Sequence, residues 1–300
     1  MDDYVFLIGR PPILEFIGFV KGMAVDGREL DDGVLAAEWR SANDRVRELE
    51  ASEGGVVDNP TVGPVSEHIR PMLEAALADS SAKKTFSLFP SSWGTVELDR
   101  LIVYQKFINL RYVAELKQEA PTVWSPEHLA AYSTGSGVPK AGVRVSQSGP
   151  NIFAFTSPSE DLRFLDVARL DPSQVSGYVA PGSVAALVAV AVGFGPNFIT
   201  VLRIGNRLIL HNGSHRAYAL RELGVTHVPC LVQHISRDDE LELVGVPDLT
   251  ANSDRYLKGS RPALLKDYFD LRLRKVVRVV RKHRLVQVQL GWQEGKVPPT

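Results

Sequence analysis

A chain of 300 residues, 44% of them hydrophobic, can bury a substantial core and spans either two domains or one domain with long extensions. Its 34 Lys and Arg against 35 Asp and Glu leave a formal net charge of −1, which excludes a global pull toward nucleic acid or anionic membrane, so any polyanion partner has to meet a local patch. The single cysteine, Cys230, excludes an internal disulfide framework and a cysteine-rich metal site, and sets the expectation of a reducing, cytoplasmic compartment.

In chain order, the start Met1-Asp2-Asp3 is acidic where a secretory signal would be basic, so no targeting signal is expected. An aromatic, apolar segment covers 4–23. A helix over 31–50 follows, with Val34, Trp39, Val46 and Leu49 as its apolar positions, and Gly54-Gly55 and Asn59-Pro60 after it as stop signals. A short helix over 66–78, a strand-like run over 96–104 and a helix over 108–118 come next. Gly135, Gly137, Pro139, Gly142, Gly149 and Pro150 mark a loop-rich stretch and a first domain boundary. The Gly135-Ser136-Gly137 run with Lys140 lacks the Gly-Lys-Ser/Thr ending of a phosphate loop and reads as a connection.

Residues 161–170 read as a strand, closed by Asp171-Pro172-Ser173 as a stop and helix cap. The apolar run 184–195 is about a dozen residues, too short to span a membrane, which takes about twenty, and its type is not settled by periodicity. Strands over 198–204 and 207–210 flank the two-residue turn Gly205-Asn206. The loop 211–215, a helix over 216–223 closed by Gly224, and a last strand over 228–232 complete a βαβ-like unit.

The chemistry concentrates in His211-Asn212-Gly213-Ser214-His215-Arg216. Where a strand turns into a helix, the first backbone N–H groups lack intrahelical partners and carry the positive end of the helix dipole. Gly213 removes a Cβ that would hold a phosphate away, Asn212 and Ser214 add short polar groups, and His215 and Arg216 add a titratable ring and a permanent cation. Taken singly, these residues read equally well as a tight turn, an N-cap and a solvated arginine; together they point to an anion site.

The run Asn212-Gly213-Ser214-His215-Arg216-Ala217-Tyr218-Ala219-Leu220, with Leu223-Gly224-Val225 and Val228-Pro229 behind it, resembles the ParB/sulfiredoxin superfamily over residues 162–232. The resemblance implies an α/β fold: a nucleotide-binding core over 151–235, a mixed accessory region over 1–150 and a basic extension over 236–300. It also implies a nucleotide (ATP, ADP or CTP), with or without Mg2+, bound by Asn212, Gly213, Ser214, His215 and Arg216. Sulfiredoxins carry their catalytic cysteine where this chain has Ser214, so the reductase activity is not expected. Free-serine kinases place carboxylates where this chain has Asn212 and Gln174. Both are amides here, which leaves Asp166, with His215, as the catalytic candidates for phosphoryl transfer to a small hydroxyl substrate. Glu160, Asp161 and Asp171 are nearby acids that read as solvated. Partition-type members add a helix-turn-helix, for which no recognition-helix pattern is visible after 236.

His211, His215, His227 and His234 lack the spacing of a zinc site, so no metal ligands are assigned. Trp39, Trp93 and Trp124 read as core. Residues 262–284 are expected to form an amphipathic helix whose basic face (Arg272, Arg274, Lys275, Arg278, Arg281, Lys282, Arg284) either binds a polyanion through Arg274, Arg278 and Arg281 or docks on an acidic surface of the same protein. Residues 285–290 alternate like a half-buried strand. Three readings of function remain open: a nucleotide-dependent phosphotransferase, a nucleotide-gated nucleic-acid-associated protein, and a degenerate binding module.

Overall fold

The computed structural model describes residues 1–136, 141–237 and 239–296. In chain order its elements are β1 (Asp2–Leu7), α1 (Ile13–Met23), α2 (Asp32–Glu53), α3 (Arg70–Ala78), α4 (Ser80–Phe86), β2 (Ser91–Glu97), β3 (Ile102–Val103), β4 (Phe107–Asn109), α5 (Leu110–Gln118) and α6 (Pro126–Thr134). There follow β5 (Arg144–Gly149), β6 (Ile152–Ser157), β7 (Arg163–Leu170), β8 (Leu187–Gly193), β9 (Thr200–Ile204), β10 (Arg207–Asn212), α7 (Ser214–Glu222) and β11 (His227–Ile235). The chain closes with α8 (Glu240–Val244), α9 (Pro247–Ala251), α10 (Ser253–Leu257), β12 (Arg274–Val279) and β13 (Arg284–Gln289). No helix among the described residues is long and apolar enough to cross a membrane.

The α/β class expected from the sequence is what forms, with a different division of the chain. Two compact units are present: Met1–Val138 with Pro196–Arg281, and Pro139–Gly195 with Lys282–Thr300. Its longer segment is inserted between α6 and β9 and its shorter one follows β12, so the segments 1–150, 151–235 and 236–300 do not coincide with these units.

In the first unit, a five-stranded sheet runs in the order β2-β11-β9-β10-β3. Strands β9 and β10 form a hairpin in which Ile204 pairs with Arg207, and Gly205 takes the positive φ (+56°) of a two-residue turn. Strand β11 lies parallel to β9 and antiparallel to β2. It therefore runs opposite to β10, and β10–α7–β11 is not the βαβ crossover expected; β10's parallel neighbour is β3. One sheet face buries Val201, Leu208, Leu210, Val228, Cys230 and Val232 against Ala217, Tyr218 and Leu220 of α7. The other buries Leu202, Ile204, Ile209 and Ile235 against Leu241, Leu249 and Tyr256 of α8, α9 and α10. Burial on both faces explains why these strands read as continuous apolar runs rather than alternating ones.

A second sheet of the same unit, β12-β1-β4, is antiparallel throughout. It carries Phe6, Ile8, Val277 and Val279 against Phe16 and Val20 of α1 and Leu35, Ala42, Val46 and Leu49 of α2. Asp31 caps α2 by accepting from the Val34 N–H at 3.0 Å, and Val34 itself points outward instead of into the core.

Here the expected basic helix is corrected. Leu265–Phe269 is a short 3-10 turn and Arg274–Val279 is strand β12, paired with β1 from Leu7↔Arg274 to Asp2↔Val279. Val276, Val277, Val279 and Val280 are β-branched, and the buried positions Val277 and Val279 alternate with exposed Val276 and Arg278. The three- and four-residue spacing that imitated a helix was a by-product of that valine-rich run.

The second unit contains the antiparallel sheet β13-β6-β5 and the antiparallel pair β7-β8. The 161–170 segment is thus a strand, as expected, yet not the first strand of the sheet that carries α7. The stretch read as loop-rich over 135–150 contains β5, and the undecided run 184–195 contains β8. Gly137 and Lys140 of the glycine-rich connection lie outside the described residues.

Candidate phosphate site at the strand–helix junction

Strand β10 delivers the chain into α7 through Gly213, whose φ of +86° belongs to the left-handed region that glycine tolerates. A methyl group there would also come within 2.9 Å of Ile199 Cγ1 and 3.1 Å of Ile199 Cα. Glycine is therefore required by the fold, whatever the loop binds. As N-cap residue it offers no side-chain oxygen, and no side chain among the described residues caps α7. By contrast, Asp79, Asn109 and Ser125 cap α4, α5 and α6. The N–H groups of Ser214 and His215 belong to the first turn, where an α-helix supplies no acceptors of its own. Ser214, the first helical residue, is half-buried.

The side chains assigned to the anion are placed otherwise than expected. Asn212 Nδ2 donates to Asn197 Oδ1 at 2.9 Å and to Phe198 O at 3.0 Å. Arg216, expected either to bind phosphate or to be solvated, is 2% exposed. Its Nη1 donates to Tyr132 O at 2.7 Å and Ser133 O at 3.1 Å, and its Nη2 donates to Asn197 O and, at 2.9 Å, to Asn197 Oδ1. Tyr132 and Ser133 stand in the last turn of α6, so the guanidinium sits at the negative end of that helix dipole and satisfies its terminal carbonyls. A buried cation thereby gains a partial counter-charge.

His215 turns toward the start of α5. Its Nε2 accepts the backbone N–H of Asn109 at 3.0 Å, and its ring meets Tyr112 edge-on with centroids 5.3 Å apart. Burial pushes its pKa down to about 4, so the ring is neutral with the proton on Nδ1. His211 is likewise held below its ordinary value by burial. Tyr104, whose hydroxyl donates to His211 O at 2.8 Å and lies 3.2 Å from His211 Nδ1, is pushed up to about 12 by the same cause. Both ends of the loop are therefore uncharged imidazoles at neutral pH.

The structure gathers Asn212, Gly213, Ser214, His215 and Arg216 in the first unit, whereas Asp166 belongs to β7 in the second, where its Oδ1 accepts the Val167 N–H at 2.9 Å. Gln174 also lies in the second unit, closing a capping box with Asp171: its Oε1 accepts the Asp171 N–H at 2.8 Å. Cys230 is fully buried and its thiol is pushed well above the ordinary value, an unreactive state.

His227 and His234 bond to Thr226 Oγ1 and Ser92 Oγ, each at 3.0 Å, and among the described residues no group of three or more His, Cys, Asp or Glu is arranged to hold a metal ion.

The cations near β12 are answered from within the protein. Arg272 pairs with Glu48 at 2.9 Å, Lys275 with Glu38 at 2.6 Å, Arg278 with Asp3 at 3.3 Å and Arg281 with Asp2 at 2.8 Å; Arg274 Nη1 donates to Tyr268 O at 3.1 Å. Of the two roles expected for these bases, docking on an acidic surface of the same chain is the one with visible contacts.

Three groups around the loop escaped sequence reasoning: Asn197, the carboxyl end of α6, and Asn109. The helix start Ser125-Pro126 and the capping glycine Gly135 are the local signals for α6; nothing local marks Asn197 or Asn109 as neighbours of residue 216 or 215. Compared with known proteins, the chain matches no family model, no curated protein and no solved structure.

Proposed function

We propose that this chain is a ParB/sulfiredoxin-like nucleotide-binding protein in which the first-turn N–H groups of α7, with the Ser214 hydroxyl, receive a nucleotide phosphate. The observation that carries the reading is the uncapped start of α7 behind a left-handed glycine, in the segment whose sequence resembles that superfamily. The recognition is main-chain recognition: Asn212 and Arg216 shape the loop, and the helix supplies the charge complement. Mg2+, if it accompanies the nucleotide, would be held chiefly by the phosphates and water.

A second reading, a binding module without phosphoryl transfer, is favoured by one observation. The His215 lone pair that a general base would use is occupied by the Asn109 N–H, and the ring titrates near 4, far below the pH at which a base of this kind operates best. Phosphotransfer to a small hydroxyl compound, with Asp166 as the candidate base, is the active alternative.

Ser214→Glu tests the site. A carboxylate in the first helical turn complements the dipole and preserves the fold, but it occupies the phosphate position with like charge. Calorimetric titration with ATP, ADP and CTP should show binding to the parent and at least about a tenfold loss in the variant at unchanged melting temperature. A parent that binds none of the three, or a variant that binds as the parent does, overturns the proposal.

A further inference from the structure

We infer that Asn197 is the positioning residue of the 212–216 loop; its functional half rests on the phosphate-site reading. One oxygen, Asn197 Oδ1, accepts from Asn212 Nδ2 and from Arg216 Nη2, each at 2.9 Å. Those donors stand at the two ends of the loop, with Gly213, Ser214 and His215 between them. The main chain on either side repeats the grip: Asn197 O receives Arg216 Nη2, Phe198 O receives Asn212 Nδ2, and Ile199 packs under Gly213. Residues 197–199 form a rail on which the loop is laid.

A glycine-containing loop has a large conformational range, and N–H groups that must converge on one phosphate oxygen lose affinity when the loop samples other shapes. The Asn197 oxygen serves the loop and not the anion, because it is an acceptor turned toward two donors and would repel a phosphate. It acts through Asn212 and Arg216. Its place in the chain adds to the effect: residue 197 lies just where the chain re-enters the first unit at Pro196, and Tyr132 and Ser133 lie just before it leaves. Arg216 bonds to both sides of that interruption, and the Ile199 N–H to Ser133 O contact at 2.7 Å closes the knot.

The test uses the full chain with Asn197→Leu, which removes the acceptor, and Asn197→Asp, which keeps it and adds a charge. Amide hydrogen exchange over 212–216 and titration with ATP, ADP, CTP and inorganic triphosphate are measured for each. The leucine variant is expected to exchange at least about tenfold faster in the loop and to lose about tenfold in affinity. The aspartate variant is expected to regain the parental exchange while its affinity stays low, with the deficit shrinking as salt rises. A merely structural role would move stability and affinity together in both variants. Parental exchange in the leucine variant, or lost protection in the aspartate variant, overturns the positioning role. If the leucine variant does not fold, the aspartate variant decides the matter alone. A parent that binds no anion overturns the phosphate reading, and exchange then judges Asn197 by itself.

Discussion

His215 Nε2 lies 3.0 Å from the backbone nitrogen of Asn109 and accepts its proton, so one helix start supplies the acceptor for the residue that caps another. Because Asn109 Oδ1 in turn accepts the N–H groups of Arg111 and Tyr112, the neutral imidazole sits at the head of the bonds that begin α5.

That contact makes a pH prediction. The folded pKa, about 4, lies below the ordinary 6.5, so the unfolded chain takes up the proton first as pH falls. The favourable contribution is complete above about pH 6.5 and is lost between 6.5 and 4. After allowance for partial solvent access it amounts to roughly 1–3 kcal/mol. Urea unfolding at pH 7 and 4.5, compared with His215→Gln, checks the slope. An NMR titration placing His215 near 6.5 would contradict it.

Arg216→Ala is expected to destabilise the protein by about 2–4 kcal/mol, because it empties a buried site and removes the guanidinium donors from Asn197 O and from Tyr132 O and Ser133 O, which keep only the N–H groups of Gly135 and Ile199. Arg216→Lys should recover only part, since one ammonium cannot span acceptors set on either side of a planar fork. Chemical denaturation measures both. Loss of nucleotide binding at parental stability would restore Arg216 as a direct ligand.

Replacing Arg274, Arg278 and Arg281 together by glutamine should lower stability by about 1–3 kcal/mol, chiefly through Asp2. Burial pushes that carboxyl up, but the hydrogen bond from Arg281 and the charges of Arg111 and Arg281 outweigh it and hold it below its ordinary value. The corresponding stability is present above the unfolded pKa and disappears as acid titrates the folded group. Arg278→Gln alone, at an exposed pair, should change stability by less than about 0.5 kcal/mol. Mobility of duplex DNA at low salt should not distinguish parent from triple variant; a clear loss of binding in the variant would revive the polyanion role.

Local chemistry was legible in the sequence and long-range partnership was not. The Gly205-Asn206 turn, the left-handed Gly224 and the run from β9 to β11 follow from nearest-neighbour rules. Strand direction failed, because a strand–helix–strand order does not disclose that β9 lies between β10 and β11. The tail failed because valines at positions 276, 277, 279 and 280 satisfy two periodicities, and only pairing with β1 selects one. The buried setting of Arg216 was hidden for a different reason: a cation at a helix start suits an outside anion and the carbonyl end of another helix equally well, and α6 stands more than 80 residues away in sequence.

The pairing of Asp2 with Val279 also bears on how this protein comes to be folded. Strand β1 can meet β4 once Asn109 has been made, yet its other edge stays without a partner until β12 emerges, about 165 residues later. A growing or truncated chain ending before Arg274 therefore presents an apolar, ladder-ready edge carrying Tyr4, Val5 and Phe6, the condition under which strands pair with the wrong neighbour. Non-local closure of this kind slows folding and makes early polypeptide release an aggregation hazard.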